Sequence, residues 1–179
     1  MRAKSDAVLA GINSVIKDDA MLNARGVKGH KQPLRVVLDP FLDLSPSSRF
    51  AQIAPHSPAL VFHCSANTQK EARLHALGIQ TSLVPGVADE IDLNRIMSEL
   101  QLRNISSIFL ETGNRLSEAF WRARLVDKCV IFYGNMIIGG ARSCLHGLDL
   151  LSIANAIPLE QITVAKYGQN IMLTGYPVY

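Results

Sequence analysis

The sequence predicts an α/β domain built around a largely parallel β-sheet. Short apolar runs of about five or six residues, typical of buried strands, recur between residues 7 and 110 and alternate with segments of helical spacing. Alternation of this kind implies parallel strands joined by right-handed crossovers. The tail beyond residue 127 differs, because its last two strand-like segments follow one another directly. It therefore predicts antiparallel pairing.

The first half of the chain supplies three predicted strands. Residues 7–12 form a short apolar run, 34–39 (LRVVLD) are rich in β-branched residues, and 59–64 (ALVFHC) are almost wholly apolar. Residues 43–58 hold three prolines and four serines, which predicts a surface connection between the second strand and the third.

The second half adds helices between further strands. Thr68–Leu77 predicts a helix that stops at Gly78. Apolar residues with the spacing of one helix face recur over 93–100 and 116–123. The remaining predicted strands of the parallel part are 81–85 and 105–110.

The tail carries three strand-like segments. KCVIFYG (128–134) comes first, and then QITVAKY and NIMLTGY flank the Gly168-Gln169 turn as an antiparallel hairpin at the edge of a mixed sheet. Before the hairpin, the segment YGNMIIGGARS (133–143) contains Gly139-Gly140, which predicts a turn.

Composition excludes several classes of protein. The 179 residues, 48% hydrophobic and 18% charged, predict one domain over 1–179 that forms an oligomer. The net charge of +3 is small and the basic residues are scattered, so neither nucleic-acid nor membrane binding is indicated. Cys64, Cys129 and Cys144 lack metal-ligand spacing, and we expect free thiols in the cytoplasm and no metal site.

Polar residues concentrate where the predicted strands end, which is where ligands bind in open α/β sheets. The cluster after the first strand contains Ser14, Asp18, Asp19, Asn23 and Arg25. In one interpretation Ser14 caps a helical turn, Asp18 lies in its first turn, and Arg25 is solvated. In the other, the carboxylates and Arg25 orient a polar ligand such as a phosphate ester. A third interpretation, a magnesium site, has less support, because adjacent carboxylates on a helix point apart.

A second cluster, FLETGNRLSEAF (109–120), passes from a strand into a helix. Gly113 would let backbone amides approach a phosphate at the helix N-terminus, although one glycine is not a dinucleotide fingerprint. Glu111 is the more informative residue, since a carboxylate at the rim of a parallel sheet usually binds something. Motifs of serine hydrolases, P-loop proteins and zinc proteases are absent from the sequence.

Several motifs occur in a fixed order along the chain. They are R-A-x-S-D-A-V-L-x-G-x-x-[ST]-V-x-x-D-D-x-x-L-x-x-R from residue 2, P-L-R-V-V-L-D from 33, L-E-x-G from 110, then L-x-x-x-F, L-V-D and I-I-G-G-A-R-S. As an ordered set they resemble the reductase domain of the bifunctional riboflavin-biosynthesis deaminase/reductase. The resemblance implies a dihydrofolate-reductase-like three-layer domain, with a mostly parallel mixed sheet and a C-terminal antiparallel hairpin.

The resemblance also implies an activity and a set of site residues. It implies NADPH-dependent reduction of 5-amino-6-(5-phosphoribosylamino)uracil, with hydride transfer to C1′ of the ribose, by a cytoplasmic homodimer. The matching cofactor positions are Ser14, Asp18, Pro40, Gly113, Asn114, Arg115 and Leu116, and the matching substrate positions are Arg2, Leu22, Arg25 and Glu111. Asp18 and Glu111 are the expected catalytic carboxyls. Pro40 replaces the small polar residue that is common in relatives, so no side-chain hydrogen bond is available there.

The chain departs from that family at its front. We expect it to lack an N-terminal strand and a zinc deaminase domain, whose H-x-E and P-C-x-x-C motifs do not occur in the sequence. Two alternatives to the reductase therefore remain open. One is a catalytically impaired or inactive relative that acts as a binding or oligomerisation module, and the other is a related NADPH-dependent pyrimidine or pteridine reductase.

Overall fold

The protein forms two compact units. The computed structural model describes residues 1–26, 29, 31–87, 90–137, 148 and 152–179. Unit one is Met1–Gly113 and unit two is Asn114–Tyr179. The turn predicted at Gly139-Gly140 lies outside the described residues.

Unit one contains a five-stranded parallel sheet. The strands of unit one are β1 (Ala7–Gly11), β2 (Leu34–Leu38), β3 (Ala59–His63), β4 (Ile79–Leu83), β5 (Gly86–Val87), β6 (Glu90–Ile91) and β7 (Ile108–Leu110). The helices of unit one are α1 (Ile12–Asp18), α2 (Arg49–Gln52), α3 (Thr68–Ala76) and α4 (Leu93–Leu102). The strand order of the sheet is β4-β3-β2-β1-β7, and every pairing in it is parallel. The predicted α/β class is therefore confirmed.

Both faces of this sheet are buried along β1, β2 and β3, as is typical of parallel strands. Val8, Val37 and Val61 on neighbouring strands belong to one apolar cluster, which also takes in residues of α1, α2 and α3. Leu9 and Leu60, which alternate with them, are also fully buried. The near-continuous apolar runs in the sequence thus reflect strands with no solvent-facing side.

The structure shifts some predicted boundaries. β4 begins two residues before the predicted strand 81–85, and β7 begins three residues after the start of the predicted strand 105–110. The second shift has a clear cause, since Ser106 and Ser107 bind the carboxylate of Asp6 instead of entering a ladder. The short helix α2 interrupts the predicted surface connection, with Ser48 as its N-cap. Sequence patterns also gave no sign of the small antiparallel pair β5–β6.

Unit two combines one helix with an antiparallel sheet. It contains α5 (Asn114–Arg122), β8 (Cys129–Tyr133), β9 (Leu159–Tyr167) and β10 (Asn170–Pro177), and its sheet order is β8-β10-β9. The predicted hairpin is confirmed, with Gly168 in the left-handed region at φ +59° where glycine is favoured. These strands hydrogen-bond as a sheet of their own rather than as an edge of the parallel sheet. No helix in the described part of the chain has the length and apolarity needed to span a bilayer.

Candidate functional site

Arg2 and Glu111 form a bidentate ion pair. Nε of Arg2 donates to one carboxylate oxygen of Glu111 at 2.8 Å, and its Nη2 donates to the other at 2.6 Å. Glu111 directly follows β7, and its own N–H donates to the carbonyl of Leu9 on β1. The pair is partly buried, with side-chain exposures of 22% for Arg2 and 42% for Glu111. The carboxylate is therefore accessible to solvent while Arg2 fixes its orientation.

Arg2 also connects this pair to the loop that follows α1. Its Nη1 donates to the carbonyl oxygen of Asn23 at 3.0 Å. The structure thus joins the start of the chain, the 19–25 loop and the end of β7. Arg25 lies two residues further along the loop, is exposed, and forms no ion pair with any residue described. Of these two arginines, Arg25 is the one whose charge is available to a phosphate.

The predicted cap of α1 is wrong. The N-cap residue is Gly11, so Ser14 lies within the first turn and not before it. Asp18 is the last residue of the helix rather than a first-turn carboxylate, and it is exposed. Because a carboxylate is disfavoured at the C-terminus of a helix, helix stability does not account for Asp18.

Asp19 has a structural role beside Asp18. Its φ of +45° ends the helix in the left-handed conformation, and its carboxylate accepts the backbone N–H of Arg49 at 3.0 Å. Among the residues that the structure describes, no group of three or more Asp, Glu, His or Cys side chains is placed to hold a metal ion.

The side chain of Leu22 is buried in the core. Its side chain is 1% exposed and packs in the core cluster of unit one. Its φ of +56° is a conformation that residues with a side chain adopt rarely. The left-handed turn at Leu22 buries the leucine while the loop continues to Asn23 and Arg25. A substrate contact at this position would therefore be made by main-chain atoms.

Arg35 is a buried cation that sequence reasoning did not single out. It is 0% exposed and donates to the carbonyl oxygens of Ser57, Phe50 and Met21 at 2.5 to 3.2 Å. Its guanidinium also lies 4.3 Å from the ring centroid of Phe50. Burial lowers the pKa of Arg35 to about 10, so it remains protonated at neutral pH. Through Met21 it fixes the same loop that Arg2 holds at Asn23.

The cofactor positions predicted in unit one follow three neighbouring strands. Ser14 and Asp18 come after β1, Pro40 after β2 and Gly113 after β7, so all four follow the carboxyl ends of parallel neighbours. The carbonyl of Pro40 accepts the N–H groups of Cys64 and Ser65. Gly113 has an ordinary φ, and a Cβ there would meet no atom within 4 Å. Asn114, Arg115 and Leu116 open α5 in unit two.

An open cleft of about 380 Å³ lies among the segments that follow β2 and β3. Its lining includes the cations Lys70 and Arg73, the polar residues Ser45 and Asn67, and one carboxylate, Asp43. The buried carboxylate of Asp39 accepts the N–H groups of Asp43 and Leu44 at 2.7 Å and so shapes the loop that carries Pro40. With two cations against one carboxylate, this lining favours an anion.

Comparisons with known proteins agree with the fold. Residues 1–173 match the family model of the RibD C-terminal domain. The chain is 29% identical over 173 residues to the riboflavin biosynthesis protein RibD of Aquifex aeolicus, a match that covers 97% of this chain and 47% of that protein. It is 31% identical over 166 residues to RibD of Chlamydia pneumoniae, covering 89% and 44%. The chain thus spans a little under half the length of these curated relatives.

Solved structures show the same fold. RibD of Acinetobacter baumannii superposes with a TM-score of 0.84 at 24% identity, covering 99% of this chain and 48% of that one. The riboflavin biosynthesis reductase Rib7 of Saccharomyces cerevisiae gives 0.75 at 18% identity, covering 99% and 77%. The protein is thus a dihydrofolate-reductase-like α/β protein, as predicted. Given the match over residues 1–173, the chain belongs to the RibD C-terminal domain family.

Proposed function

We propose that this chain carries out the reductase step of riboflavin biosynthesis, the NADPH-dependent reduction of 5-amino-6-(5-phosphoribosylamino)uracil. Family membership supports the reaction, and a reductase of this substrate is named in a Thermotoga maritima structure of the same fold. The observation that carries the proposal is the Arg2–Glu111 pair at the end of β7, joined through Asn23 to the loop that presents Arg25. This arrangement offers an oriented acceptor and a separate cation.

The chemistry divides between the two ligands and the protein. A C1′–H bond forms, the bond from C1′ to the ring oxygen breaks, and that oxygen takes a proton, which leaves an open ribityl chain. NADPH, when bound, supplies the hydride. We assign Arg25 to the phosphate and Glu111 to hydroxyl or amino groups of the substrate. Arg2 orients Glu111, and Asp18 remains the second proposed catalytic carboxyl.

The described residues fit a phosphorylated dinucleotide. Ser14, Asp18, Pro40 and Gly113 follow adjacent strand ends, and the cleft with Lys70 lies beside the loop of Pro40. We assign Lys70 and Arg73 to the phosphates of the cofactor, because Coulomb attraction there is opposed by only one carboxylate. We further assign Arg115, with Asn114 and Leu116 at the start of α5, to the cofactor, as the family resemblance implies.

Removal of both cleft cations should weaken NADPH binding. In the double variant Lys70→Ala/Arg73→Ala we expect the KM for NADPH to rise about tenfold or more, from lost charge-assisted contacts to phosphate. Arg95→Ala is the matched control, since Arg95 is an exposed cation on α4 away from the cleft. Unchanged cofactor affinity in the double variant would contradict the assignment. An equal loss of NADPH affinity in Arg95→Ala would show that the effect comes from net charge and not from the cleft.

Turnover by residues 1–179 tests the proposed function. We expect loss of the near-ultraviolet absorbance of NADPH to depend on the aminouracil substrate and to saturate with it. Turnover of a pteridine but not of the aminouracil would favour the related reductase instead. Binding of neither substrate nor cofactor would contradict a reductase of any kind.

We also propose that the protein is a cytoplasmic homodimer that associates through unit two. One face of the antiparallel sheet exposes the apolar residues Tyr133, Ile171, Val164 and Ile162, and the strand registers pair Ile171 with Tyr133 on one side and with Lys166 on the other. A patch of adjacent apolar side chains on a sheet is typical of an interaction surface. Sedimentation of Val164→Lys, which puts a charge in the patch, should show a monomer if this face forms the contact.

A further inference from the structure

Three buried polar side-chain atoms have no hydrogen-bond partner among the residues described. They are Oδ1 of Asn23, Oγ of Ser57 and Nε2 of His63. A buried acceptor without a donor is costly, and native proteins leave few of them. An unpaired acceptor inside a ligand site is a recognised exception, because the ligand can supply the missing donor.

Of the three atoms, only that of Asn23 belongs to the candidate substrate site. The carbonyl oxygen of Asn23 accepts Nη1 of Arg2, and the same guanidinium holds Glu111. Asn23 also follows Leu22, whose left-handed backbone turns the loop at this point. The main chain of Asn23 is therefore fixed against the ion pair, while no described residue donates to its side-chain oxygen.

The chemistry of the neighbouring groups indicates what would bind there. Glu111 offers carboxylate lone pairs and Asn23 offers a carboxamide oxygen, so both are hydrogen-bond acceptors. A partner that meets both acceptors must be rich in N–H or O–H groups. The proposed substrate has such groups in the amino and ring N–H donors of its pyrimidine and in the hydroxyls of its ribose.

We propose that Asn23 is a further substrate-binding residue, whose carboxamide oxygen accepts a hydrogen bond from an N–H or O–H group of the substrate. This inference rests on the proposed function and deepens it. It assigns a contact to Asn23 that is additional to those of Glu111 and Arg25, and it explains why the free protein tolerates an unpaired acceptor.

The test compares affinity with stability in Asn23→Leu, which keeps the shape of the side chain and removes the acceptor. Because the oxygen that is removed accepts no hydrogen bond from the described residues, we expect its melting temperature to equal or exceed that of the wild type. We expect its KM for the aminouracil substrate to rise about tenfold, with kcat changed much less and the KM for NADPH unchanged. Asn23→Asp, which keeps an oxygen in place, should restore most of the affinity.

Ser57→Ala is the matched control. It removes another unpaired buried atom, lies outside the site, and leaves the Ser57 carbonyl that Arg35 binds. We expect no change in its KM for the substrate. Competition by 5,6-diaminouracil and by ribose 5-phosphate identifies the donor, because the inhibition constant of the fragment that carries it should rise in Asn23→Leu.

Three outcomes would overturn the inference. One is an unchanged substrate KM in Asn23→Leu, and another is an equal rise in Ser57→Ala. The third is a lower melting temperature or failure to fold in Asn23→Leu, which would show that Asn23 holds a bond within the protein. Failure of the wild type to bind the aminouracil would instead contradict the proposed function, and the melting comparison would still test whether the acceptor is unpaired.

Discussion

The two ends of the parallel sheet use their carboxylates in opposite ways. At the amino ends of β1 and β7, one oxygen of Asp6 accepts four hydrogen bonds from the N–H and hydroxyl groups of Ser106 and Ser107. At the carboxyl end of β7, Glu111 is bound by Arg2 alone among the side chains described. Asp6 thus ties two strands together at the amino end, whereas Glu111 at the carboxyl end is held by an arginine and keeps lone pairs that a ligand can use.

Arginines show the same division. Arg35 is fully buried, and backbone carbonyl oxygens take its hydrogen bonds. Arg25 is exposed and, among the described residues, has no ion-pair partner. A charge committed to the backbone should affect stability, and a charge left to solvent should affect binding.

The largest stability effect is expected at Arg35. Arg35→Met retains the apolar stem but leaves three carbonyl oxygens, two of them buried, without their donor, at a cost of roughly 3 kcal/mol in the free energy of unfolding. Urea unfolding should show a lower midpoint with an unchanged m-value. Arg35→Lys keeps the charge but has fewer donors than the guanidinium. Its urea midpoint should therefore lie between those of the wild type and Arg35→Met. Wild-type stability in Arg35→Met would contradict the structural role.

A smaller effect, confined to binding, is expected at Arg25. Arg25→Ala should raise the KM for the phosphorylated substrate about tenfold through loss of a charge-assisted contact. Its melting temperature should match the wild type, since the guanidinium forms no ion pair with a described residue. If the affinity for a substrate analogue without the phosphate falls equally, Arg25 does not bind the phosphate.

The smallest effect is expected at Asp6, and it depends on pH. Hydrogen bonds from Ser106 and Ser107 lower the pKa of Asp6 from 3.8 to about 2. A carboxyl with a depressed folded-state pKa contributes stability that is complete above its unfolded value and is lost as the pH falls through its folded value. Between pH 3.8 and 2, the unfolding free energy of the wild type should therefore fall more steeply than that of Asp6→Asn. Parallel profiles would show that these bonds do not favour the charged carboxylate.

Local patterns predicted more of the fold than of the site. β1, β2 and β3 were predicted to within one residue, because a buried parallel strand is a continuous apolar run whatever its neighbours. The position of Ser14 within α1 was not predicted. Ile12 is apolar and extends the strand-like run in the sequence, although it is already the first residue of the helix. The family resemblance marked Arg2 and Glu111, yet their pairing spans 109 positions and depends on β7 lying beside β1. Strand order of this kind has no local signal, and neither has the unpaired oxygen of Asn23.

Calorimetric titration of the aminouracil substrate into Glu111→Gln and Asp6→Asn, each beside the wild type, tests the contrast between the two ends of the sheet most directly. We predict that the affinity falls at least about tenfold in Glu111→Gln, because the charged acceptor is lost, and that Asp6→Asn binds as the wild type does. Equal affinities in Glu111→Gln and the wild type, or an equal loss in Asp6→Asn, would contradict the assignment of the carboxyl end as the substrate site.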